Sequence, residues 1–508
     1  MNTAENNKAA ITKAAFGDFQ TPLVLTREIC NLLLKENIQF CSILEPNCGT
    51  GSFLSATTEF FQNADKFVGA DINPEHLQIA KQKLDDSHTK NEVVLLNEDF
   101  FHFNWGKLLD SMPEPLLIIG NPPWITNTEL SVLGSSNTPR KSNLQNLNGL
   151  EALTGKSNFD ISEWMLTREL EWISGRKRTL AMLCKTSVAR KVLLYAWKQK
   201  LSLDSADIYP IDAPKYFSVS VEACLLVARG GKKANDFMCR IHKSLKQYDP
   251  YTLLGYTGKY LIADMDAFRR RKELVGNSIY KWRSGIKHDC AKVMELIKQK
   301  GGYRNGFGEL VDVEPDHLYP MFKGSRLANG LNESPSSWML VTQHYPGEDT
   351  RPIHNNAPKT WAYLTKYCKL LDQRGSSIYK DRPRFSIFGV GDYSFATWKV
   401  AISGFYKNLN FKLVGPHESK PVVLDDTCYL IGCRSKEEAE LLHRIYNSDI
   451  AKDFYSAFIF WDEKRPITVG ILQRLDVLKL SKQLGLDKEQ SFSLSENSME
   501  AHQMVLFP

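Results

Sequence analysis

Residues 43–54 read Ile-Leu-Glu-Pro-Asn-Cys-Gly-Thr-Gly-Ser-Phe-Leu, a short apolar run followed by a glycine-bearing turn and an apolar helix start. Gly49 and Gly51 allow φ values that are barred to other residues, and they let the backbone approach a ligand closely. The pattern predicts a strand, a ligand-binding turn and a helix. A Gly-x-Gly pair alone is weak evidence for such a site, so the segments downstream decide its interpretation.

The chain after this turn continues as an alternating α/β unit should. Short apolar runs, each long enough for one buried strand, recur with amphipathic or polar segments between them. The predicted strands are Phe67–Asp71, Val93–Leu96, Leu116–Gly120, Thr179–Cys184 and Val221–Val227. The predicted fold class is therefore α/β, with helices on both faces of one sheet.

Carboxylates follow two of these predicted strands. Asp71 ends the second strand, and Asp99 comes shortly after the third. Ligands of open sheets bind just beyond the carboxyl ends of the strands. Asp71 is therefore predicted to hold a ribose diol, Asp99 to accept from an adenine amino group, and Phe100 to pack on that ring. The alternative for each carboxylate is a solvated loop residue or a helix cap.

The tetrapeptide Asn121-Pro122-Pro123-Trp124 directly follows the fourth predicted strand. An Asn side-chain oxygen and the next backbone carbonyl supply two acceptors for the N–H groups of a planar amino nitrogen, which is otherwise a poor nucleophile. The prolines restrict the loop, and the indole offers a face for a planar substrate. The motif predicts methyl transfer to a conjugated amino nitrogen; a plain strand-ending turn is the alternative.

The two motifs, in this order, resemble those of the S-adenosylmethionine-dependent DNA adenine N6-methyltransferases, in particular their gamma class. The resemblance implies a Rossmann-like methyltransferase sheet, a C-terminal α+β target-recognition domain, and methyl transfer to an adenine flipped out of duplex DNA. It implies catalytic roles for Asn121, Pro122, Trp124 and Phe217. It implies cofactor contacts for Thr21, Pro22, Glu45, Pro46, Asn47, Gly49, Gly51, Asp71, Ile72, Asp99, Phe100, Asn121 and Phe159.

Three further stretches agree with this resemblance. Phe16–Pro22 is similar to the N-terminal element that folds over the methionine end of the cofactor. Lys156–Asp160 matches the segment that lines the cofactor pocket, and it opens an amphipathic helix through Trp164. Phe217 resembles the second aromatic that contacts the target base. Tyr216 is the fallback for that role, and a plain core aromatic is the alternative for Phe217.

Composition limits the class of protein. A chain of 508 residues predicts two domains, which we place at 1–232 for catalysis and 233–508 for target recognition. It contains no apolar run near the length of a membrane span, and its first residues lack the apolar core of a signal peptide. The ten cysteines are scattered without a Cys-x-x-Cys pair. We therefore expect a cytoplasmic protein with reduced cysteines and no metal.

The C-terminal half differs in character from the first half. Lys and Arg outnumber Asp and Glu over 241–508 but not over 1–240. Basic and aromatic residues alternate within several segments, which suits phosphate contact and base readout; packed core aromatics are the alternative for most of them. The segments are Lys281–His288, His317–Pro320, Arg382–Phe395, Trp398–Val400 and Trp461–Pro466. Double-stranded DNA is the predicted partner, bound by a monomer.

Several other functions remain as alternatives. An RNA adenine methyltransferase would use the same chemistry with a different recognition domain, and a protein glutamine methyltransferase would use the same loop on an amide. A nucleic-acid-binding subunit with a degenerate fold would lack the intact motifs found here. A fused restriction-modification enzyme would need a nuclease motif, of which Trp461–Lys464 contains only a fragment. The preferred expectation is a modification enzyme with a separate cognate endonuclease.

Overall fold

The computed structural model describes residues 20–36, 38–86, 92–125, 160–232, 236–245, 250–330 and 334–486. The chain divides into two compact units, Met1–Met265 and Asp266–Pro508. The boundary predicted between residues 232 and 233 therefore has to move toward the C-terminus. Three strands beyond residue 232 belong to the sheet of the first unit, and one of them, Met238–Ile241, pairs there with the strand Leu203–Ile211. The predicted boundary thus falls inside one sheet.

The first unit is built on a ten-stranded sheet with the order β10-β9-β8-β6-β7-β5-β4-β1-β2-β3. Strands β1 to β5 are mutually parallel, whereas β7 is antiparallel to both β5 and β6. The strands are β1 Ser42–Glu45, β2 Lys66–Asp71, β3 Glu92–Asn97, β4 Leu116–Gly120, β5 Arg178–Lys185, β6 Leu203–Ile211, β7 Ala223–Gly230, β8 Met238–Ile241, β9 Thr252–Tyr256 and β10 Leu261–Ile262.

Helices connect these strands as the alternating pattern requires. The helices of the first unit are α1 Leu23–Leu34, α2 Ser52–Phe60, α3 Pro74–Asp86, α4 Trp105–Asp110, α5 Ile161–Ile173, α6 Thr186–Lys198 and α7 Ala213–Phe217. Helix α1 packs on α2, and α5 packs on α6. The α/β prediction is confirmed, and the parallel order of β1 to β5 is that of the predicted Rossmann-like sheet.

The strands form where the sequence has uninterrupted apolar runs. Every residue of β1 and of β4 is buried, as expected for parallel strands covered on both faces. The predicted strands coincide with β2, β3, β4 and β5 to within two residues, and β7 begins at Ala223 rather than at Val221. No strand was predicted for β6, in which Asp204, Ser205 and Asp207 interrupt the apolar pattern.

A buried carboxylate joins the added strand β8 to β6. Asp207 of β6 is fully buried and accepts hydrogen bonds from the Arg240 guanidinium at 2.7 and 2.9 Å. His242 lies 2.9 Å from the same carboxylate, and Arg229 of β7 donates to it at 3.2 Å. Arg229 also forms an ion pair with Glu36. The network supplies the charge and the hydrogen bonds that a buried carboxylate needs.

Helix α5 carries another buried carboxylate, Glu169, whose surroundings differ from those of Asp207. Neither of its oxygens has a hydrogen-bond partner among the described residues. Burial raises its pKa from 4.5 to about 8. Because the folded-state pKa lies above the unfolded one, the unfolded chain loses this proton above pH 4.5 while the folded protein keeps it up to about pH 8, so folding must take up a proton in that range. This group therefore lowers stability progressively between pH 4.5 and about 8.

We expect Glu169→Gln, which mimics the protonated side chain, to stabilise the fold by a few kcal/mol at pH 8 and to have little effect at pH 4. Chemical denaturation of both proteins over this pH range measures the difference. Glu75→Gln, at an exposed position in the first turn of α3, is the control and should show no such trend. An equal effect of Glu169→Gln at pH 4 and pH 8 would contradict the raised pKa.

The second unit contains two sheets and many short helices. A six-stranded sheet has the order β14-β13-β12-β16-β15-β19, and a four-stranded sheet has the order β11-β20-β17-β18. The strands are β11 Arg283–Ser284, β12 Glu295–Gln299, β13 Gly302–Arg304, β14 Leu310–Val311, β15 Leu318–Phe322, β16 Ser337–Leu340, β17 Trp398–Ser403, β18 Lys412–Val414, β19 Val423–Leu424 and β20 Cys428–Cys433.

The helices of this unit are α8 Met265–Arg271, which begins at the unit boundary, α9 Ala291–Met294, α10 Gly324–Asn329, α11 Ile353–Asn356, α12 Pro358–Lys366, α13 Cys368–Asp372, α14 Asp392–Phe395, α15 Lys436–Tyr446, α16 Asp449–Ser456, α17 Val469–Leu472 and α18 Val477–Gln483. Almost all strand pairs here are antiparallel, and α15 packs against the four-stranded sheet. The unit is therefore α+β. Within the described ranges, no helix of either unit is both long and apolar enough to cross a membrane.

Candidate active site

The glycine turn predicted from residues 43–54 joins β1 to α2. Gly49 and Gly51 have φ values of +48° and +77°, in the left-handed region that favours glycine. Gly51 also packs closely, because a Cβ atom there would lie 2.8 Å from the Cβ of Ala80. The Gly49 N–H donates to Asp71 Oδ2 at 2.9 Å. The end of β2 thus holds the turn that follows β1.

Asp71 lies where the second strand ends, as predicted. Its other oxygen, Oδ1, accepts from the Asn73 N–H at 2.8 Å. Each carboxylate oxygen has two lone pairs, so these contacts leave capacity for the hydroxyl groups of a ribose. The side chain of Ile72 is 51% exposed beside it, although isoleucine is usually buried. An exposed apolar side chain next to a carboxylate suits a nucleoside, whose ring can lie on the isoleucine while its ribose bonds to the carboxylate.

Glu45 ends β1 and lies beneath the turn. Its Oε2 accepts from the Leu54 N–H at 3.1 Å, at the start of α2. Burial raises its pKa well above 4.5, and the hydrogen bond from Leu54 opposes that rise only in part. Pro46 is buried and Asn47 is half-buried in the same turn. The predicted stretch Glu45–Asn47 therefore supports the turn from below.

Asp99 and Phe100 follow β3, the third strand of the same edge. The Asp99 carboxylate accepts from the Phe101 N–H at 2.9 Å and contacts His102 Nδ1 at 2.6 Å. Phe100 is almost fully buried, and its ring stacks on Trp172 with centroids 5.5 Å apart. Trp105 and Trp164 also contact this ring. Phe100 is thus a packed aromatic over most of its surface, and its predicted role as an adenine contact stays a prediction.

The N-terminal segment contacts both motifs. Gln20 Oε1 accepts from the Thr50 N–H at 3.0 Å and from the Thr50 hydroxyl at 2.8 Å. Thr21 is buried, and its hydroxyl accepts from Asn121 Nδ2 at 3.3 Å. Pro22 precedes α1, and its carbonyl accepts from the N–H of Leu25. The segment therefore links the glycine turn to the loop after β4.

That loop begins at Asn121, directly after β4, and its described part ends at Ile125. Because Thr21 engages the amide nitrogen of Asn121, the amide oxygen lies on the other side of the group. Pro122 is buried, and the rings of Trp124 and Phe217 meet edge to face with centroids 5.4 Å apart. Trp124 is 7% exposed and Phe217 is 8% exposed. The predicted pair is thus brought together.

The remaining predicted residues have different outcomes. Tyr216, the fallback for Phe217, donates to Glu28 at 3.0 Å on α1 and is not the ring that meets Trp124. Phe217 is also part of the hydrophobic core of this unit, so the alternative of a core aromatic applies to it as well. Phe159 lies outside the described residues. Helix α5 begins after Asp160, which caps it through the N–H of Ser162.

Gln20 and Asp160 lie in the predicted stretches Phe16–Pro22 and Lys156–Asp160 but were given no role of their own, and Lys185 was not singled out in the sequence. Lys185 ends β5 at the same edge of the sheet at which Glu45, Asp71 and Asn121 lie. The rule that located those three, a polar residue directly after an apolar strand, also applies to Lys185. It would have identified Lys185 from the run Thr179–Cys184 alone.

Several aromatics of the basic segments in the second unit are core residues. Trp282 is buried against Phe411 and Tyr446, and Phe385 is buried beside Trp361. Arg384 is exposed but pairs with Asp372. The packed-core alternative holds for these residues. In the part of the chain that the structure describes, no group of three His, Cys, Asp or Glu side chains is arranged to hold a metal ion.

Comparison with known proteins connects this site to a class of enzymes. The chain is similar to the type II methyltransferase M.NspV of Nostoc sp., with 45% identity over 93% of this chain and 98% of that protein. Part of it is similar to the tRNA1(Val) (adenine(37)-N6)-methyltransferase of Aliivibrio fischeri, with 30% identity over 24% of this chain and 53% of that protein.

Among solved structures, the type IIL restriction-modification enzyme MmeI in complex with DNA shares the fold, with a TM-score of 0.50 and 14% sequence identity. The match covers 98% of this chain and 78% of that one. No protein-family model matches the sequence.

Proposed function

Since this chain belongs to the type II methyltransferases of restriction-modification systems, we propose that it methylates N6 of adenine at a specific site in double-stranded DNA. The observation that carries the proposal is the loop Asn121–Trp124 at the end of β4, which the ring of Phe217 faces. This loop offers two acceptors for an amino group and an aromatic pair for the ring that bears it. Adenine has both parts.

The residues at the edge of the sheet fit S-adenosylmethionine as the methyl donor. The exposed Ile72 suits the adenine ring of the cofactor, and Asp71 suits its ribose. The positive φ values of Gly49 and Gly51 bring the backbone close to this edge. When bound, S-adenosylmethionine supplies an electrophilic methyl group to the amino nitrogen. We assign the methionine end to the turn Glu45–Gly51 and to the segment Thr21–Pro22, which adjoins Asn121.

Asn121 and Pro122 act on the acceptor nitrogen. The Asn121 side-chain oxygen and the Pro122 carbonyl accept its two N–H groups, which draws the lone pair out of conjugation with the ring. No strong general base is needed, because the nitrogen can attack before its proton passes to solvent. Catalysis then rests on positioning and on preorganised dipoles. Stacking on Trp124, with Phe217 against it, offsets the free energy of unstacking the base.

Adenine in DNA is proposed over adenine in RNA because of the second unit. The tRNA methyltransferase relative aligns with only 24% of this chain, whereas M.NspV aligns with 93%. The alignment with the type II relative therefore extends into the second unit. We further propose that the enzyme is a cytoplasmic monomer and that a separate endonuclease cuts the same site when it is unmethylated.

Methyl transfer from labelled S-adenosylmethionine to duplex DNA and to RNA, measured side by side, tests the proposal. We expect label in DNA only, and N6-methyladenine as the modified nucleoside after digestion. Modification-sensitive sequencing of a methylated plasmid library would then give the recognition site. Label in RNA alone would favour the RNA alternative, and N4-methylcytosine as the product would overturn the choice of base. Incubation of the protein and DNA with a divalent cation tests for a fused nuclease. We expect no cleavage of the DNA.

A further inference from the structure

An ion pair contacts the loop that carries Asn121 and Trp124. Lys185 Nζ lies 2.7 Å from Asp160 Oδ2 and donates to the Trp124 carbonyl at 3.3 Å. Asp160 is buried, and its other oxygen accepts from the Ser162 N–H at 3.1 Å. One ammonium group therefore connects the end of β5, the start of α5 and the loop after β4.

A backbone contact reinforces this connection. The Ile161 N–H donates to the Ile125 carbonyl at 2.9 Å. The two carbonyls of Trp124 and Ile125 are thus held by neighbouring donors, one from Lys185 and one from the first turn of α5. The next residue after Lys185, Thr186, donates its N–H to the carbonyl of Glu222, in the segment that follows Phe217. The end of β5 is therefore hydrogen-bonded to the backbone of Trp124 and to the segment that follows Phe217.

The free-energy cost of burying two charges indicates that the Lys185–Asp160 pair has a role other than stabilising the fold. Asp160 needs only a polar group to cap α5, and a charge is not required for that role. A charged pair that is largely removed from water stabilises a fold weakly or not at all, because desolvation offsets the attraction. The Lys185 ammonium group has three N–H donors, and the one that bonds to the Trp124 carbonyl does not contribute to the cap of α5.

We propose that Lys185 and Asp160 form a positioning pair for the methyl-transfer reaction. The pair fixes the carbonyl of Trp124 and so holds the indole in its position beside Phe217. Neither residue touches the reacting atoms. The inference rests on the proposed function for its catalytic consequence, but the position of the loop can be measured without any substrate.

The variants follow from the contacts. Lys185→Met keeps the length of the side chain and removes its charge and its donors. Asp160→Asn keeps an oxygen for the cap of α5 and removes the ion pair. We expect each variant to lower kcat by about 10- to 100-fold, since small misplacements of reacting groups have effects of this size. In Lys185→Met the KM and Kd for S-adenosylmethionine should stay within about 2-fold, because Lys185 contacts the Trp124 carbonyl and not the turn Glu45–Gly51 or Asp71.

Another ion pair of the first unit provides a matched control. Lys191 of α6 pairs with Glu163 of α5 at 2.9 Å, and Glu163 is buried as Asp160 is. The Lys191 ammonium group donates to Glu163 and not to the Trp124 carbonyl. Lys191→Met should therefore leave kcat unchanged while it removes a comparable ion pair. The double variant Lys185→Met, Asp160→Asn should lose no more activity than either single variant, because the two changes break one interaction.

Hydrogen exchange provides the readout that is independent of activity. In Lys185→Met the amides of Trp124, Ile125 and Ile161 should exchange faster than in the wild type, with an unchanged melting temperature, and in Lys191→Met they should not. Unchanged exchange in Lys185→Met would overturn the proposal, and so would losses of activity that multiply in the double variant. A wild-type protein that methylates no DNA would refute the proposed function alone, since the exchange measurement would still decide the role of the pair.

Discussion

Asn121→Ala is expected to abolish methyl transfer while S-adenosylmethionine still binds. The substitution removes one of the two acceptors for the amino group, and the loss of a single preorganised hydrogen-bond partner at the reacting centre typically lowers kcat by about 100- to 1000-fold. The cofactor contacts of the glycine turn and Asp71 are untouched, so the Kd measured by calorimetry should change little. Methyl incorporation into DNA, followed with labelled cofactor, gives the kcat.

Two further variants make this result specific. Asn31→Ala, on the exposed face of α1, should behave as the wild type. Asn121→Asp keeps the shape but replaces the amide nitrogen that contacts Thr21, so it should also be strongly impaired. Methylation by purified Asn121→Ala at a rate near that of the wild type would refute the catalytic assignment. A loss of cofactor binding in that variant would instead place Asn121 in the cofactor site alone.

Asp207→Ala is expected to destabilise the first unit by about 3–5 kcal/mol, because it leaves the Arg240 and Arg229 charges of a buried network without their carboxylate. Burial alone would raise the pKa of Asp207, but hydrogen bonds from Arg240 and His242 outweigh it and hold the pKa below its ordinary 3.8. A depressed folded-state pKa means that the stabilising contribution is complete above pH 4 and is lost as the pH falls through the folded value.

Denaturant unfolding at pH 7 and at decreasing pH measures this contribution. The stability difference between wild type and Asp207→Ala should be largest near neutral pH and should shrink in acid. Asp204→Ala, at an exposed position on the same strand β6, is the control and should change stability by less than about 0.5 kcal/mol. A difference that grows toward low pH would show that the network does not hold Asp207 ionised.

The sequence was sufficient for those parts of the first unit in which local pattern and topology agree. The apolar runs that became β1, β2 and β4 end in Glu45, Asp71 and Asn121, and parallel pairing necessarily brings these ends to one edge. Phe217, predicted as a second aromatic against the target base, lies beside Trp124. In each case the position depends on neighbouring residues and on the direction of the strands.

Other features depend on contacts between distant segments and could not be predicted in this way. Strand β6 carries the charge of Asp207 inside the sheet, so its pattern does not read as a buried strand, and its partners Arg240 and His242 lie beyond the predicted domain boundary. In the sequence, Asp160 resembles an ordinary helix cap and Lys185 resembles an ordinary surface lysine. Only the fold shows that they meet at the carbonyl of Trp124.

The strands beyond residue 232 decide where the chain can be divided. A fragment that ended at Lys232 would lack β8 and so would lose Arg240 and His242, leaving Asp207 with only Arg229. It would also expose the edge of β6, whose unpaired N–H and C=O groups would be open to pairing with other copies. Such a fragment is expected to aggregate, whereas a fragment that continues through β10 to Met265 keeps the carboxylate paired and the edge of β6 covered.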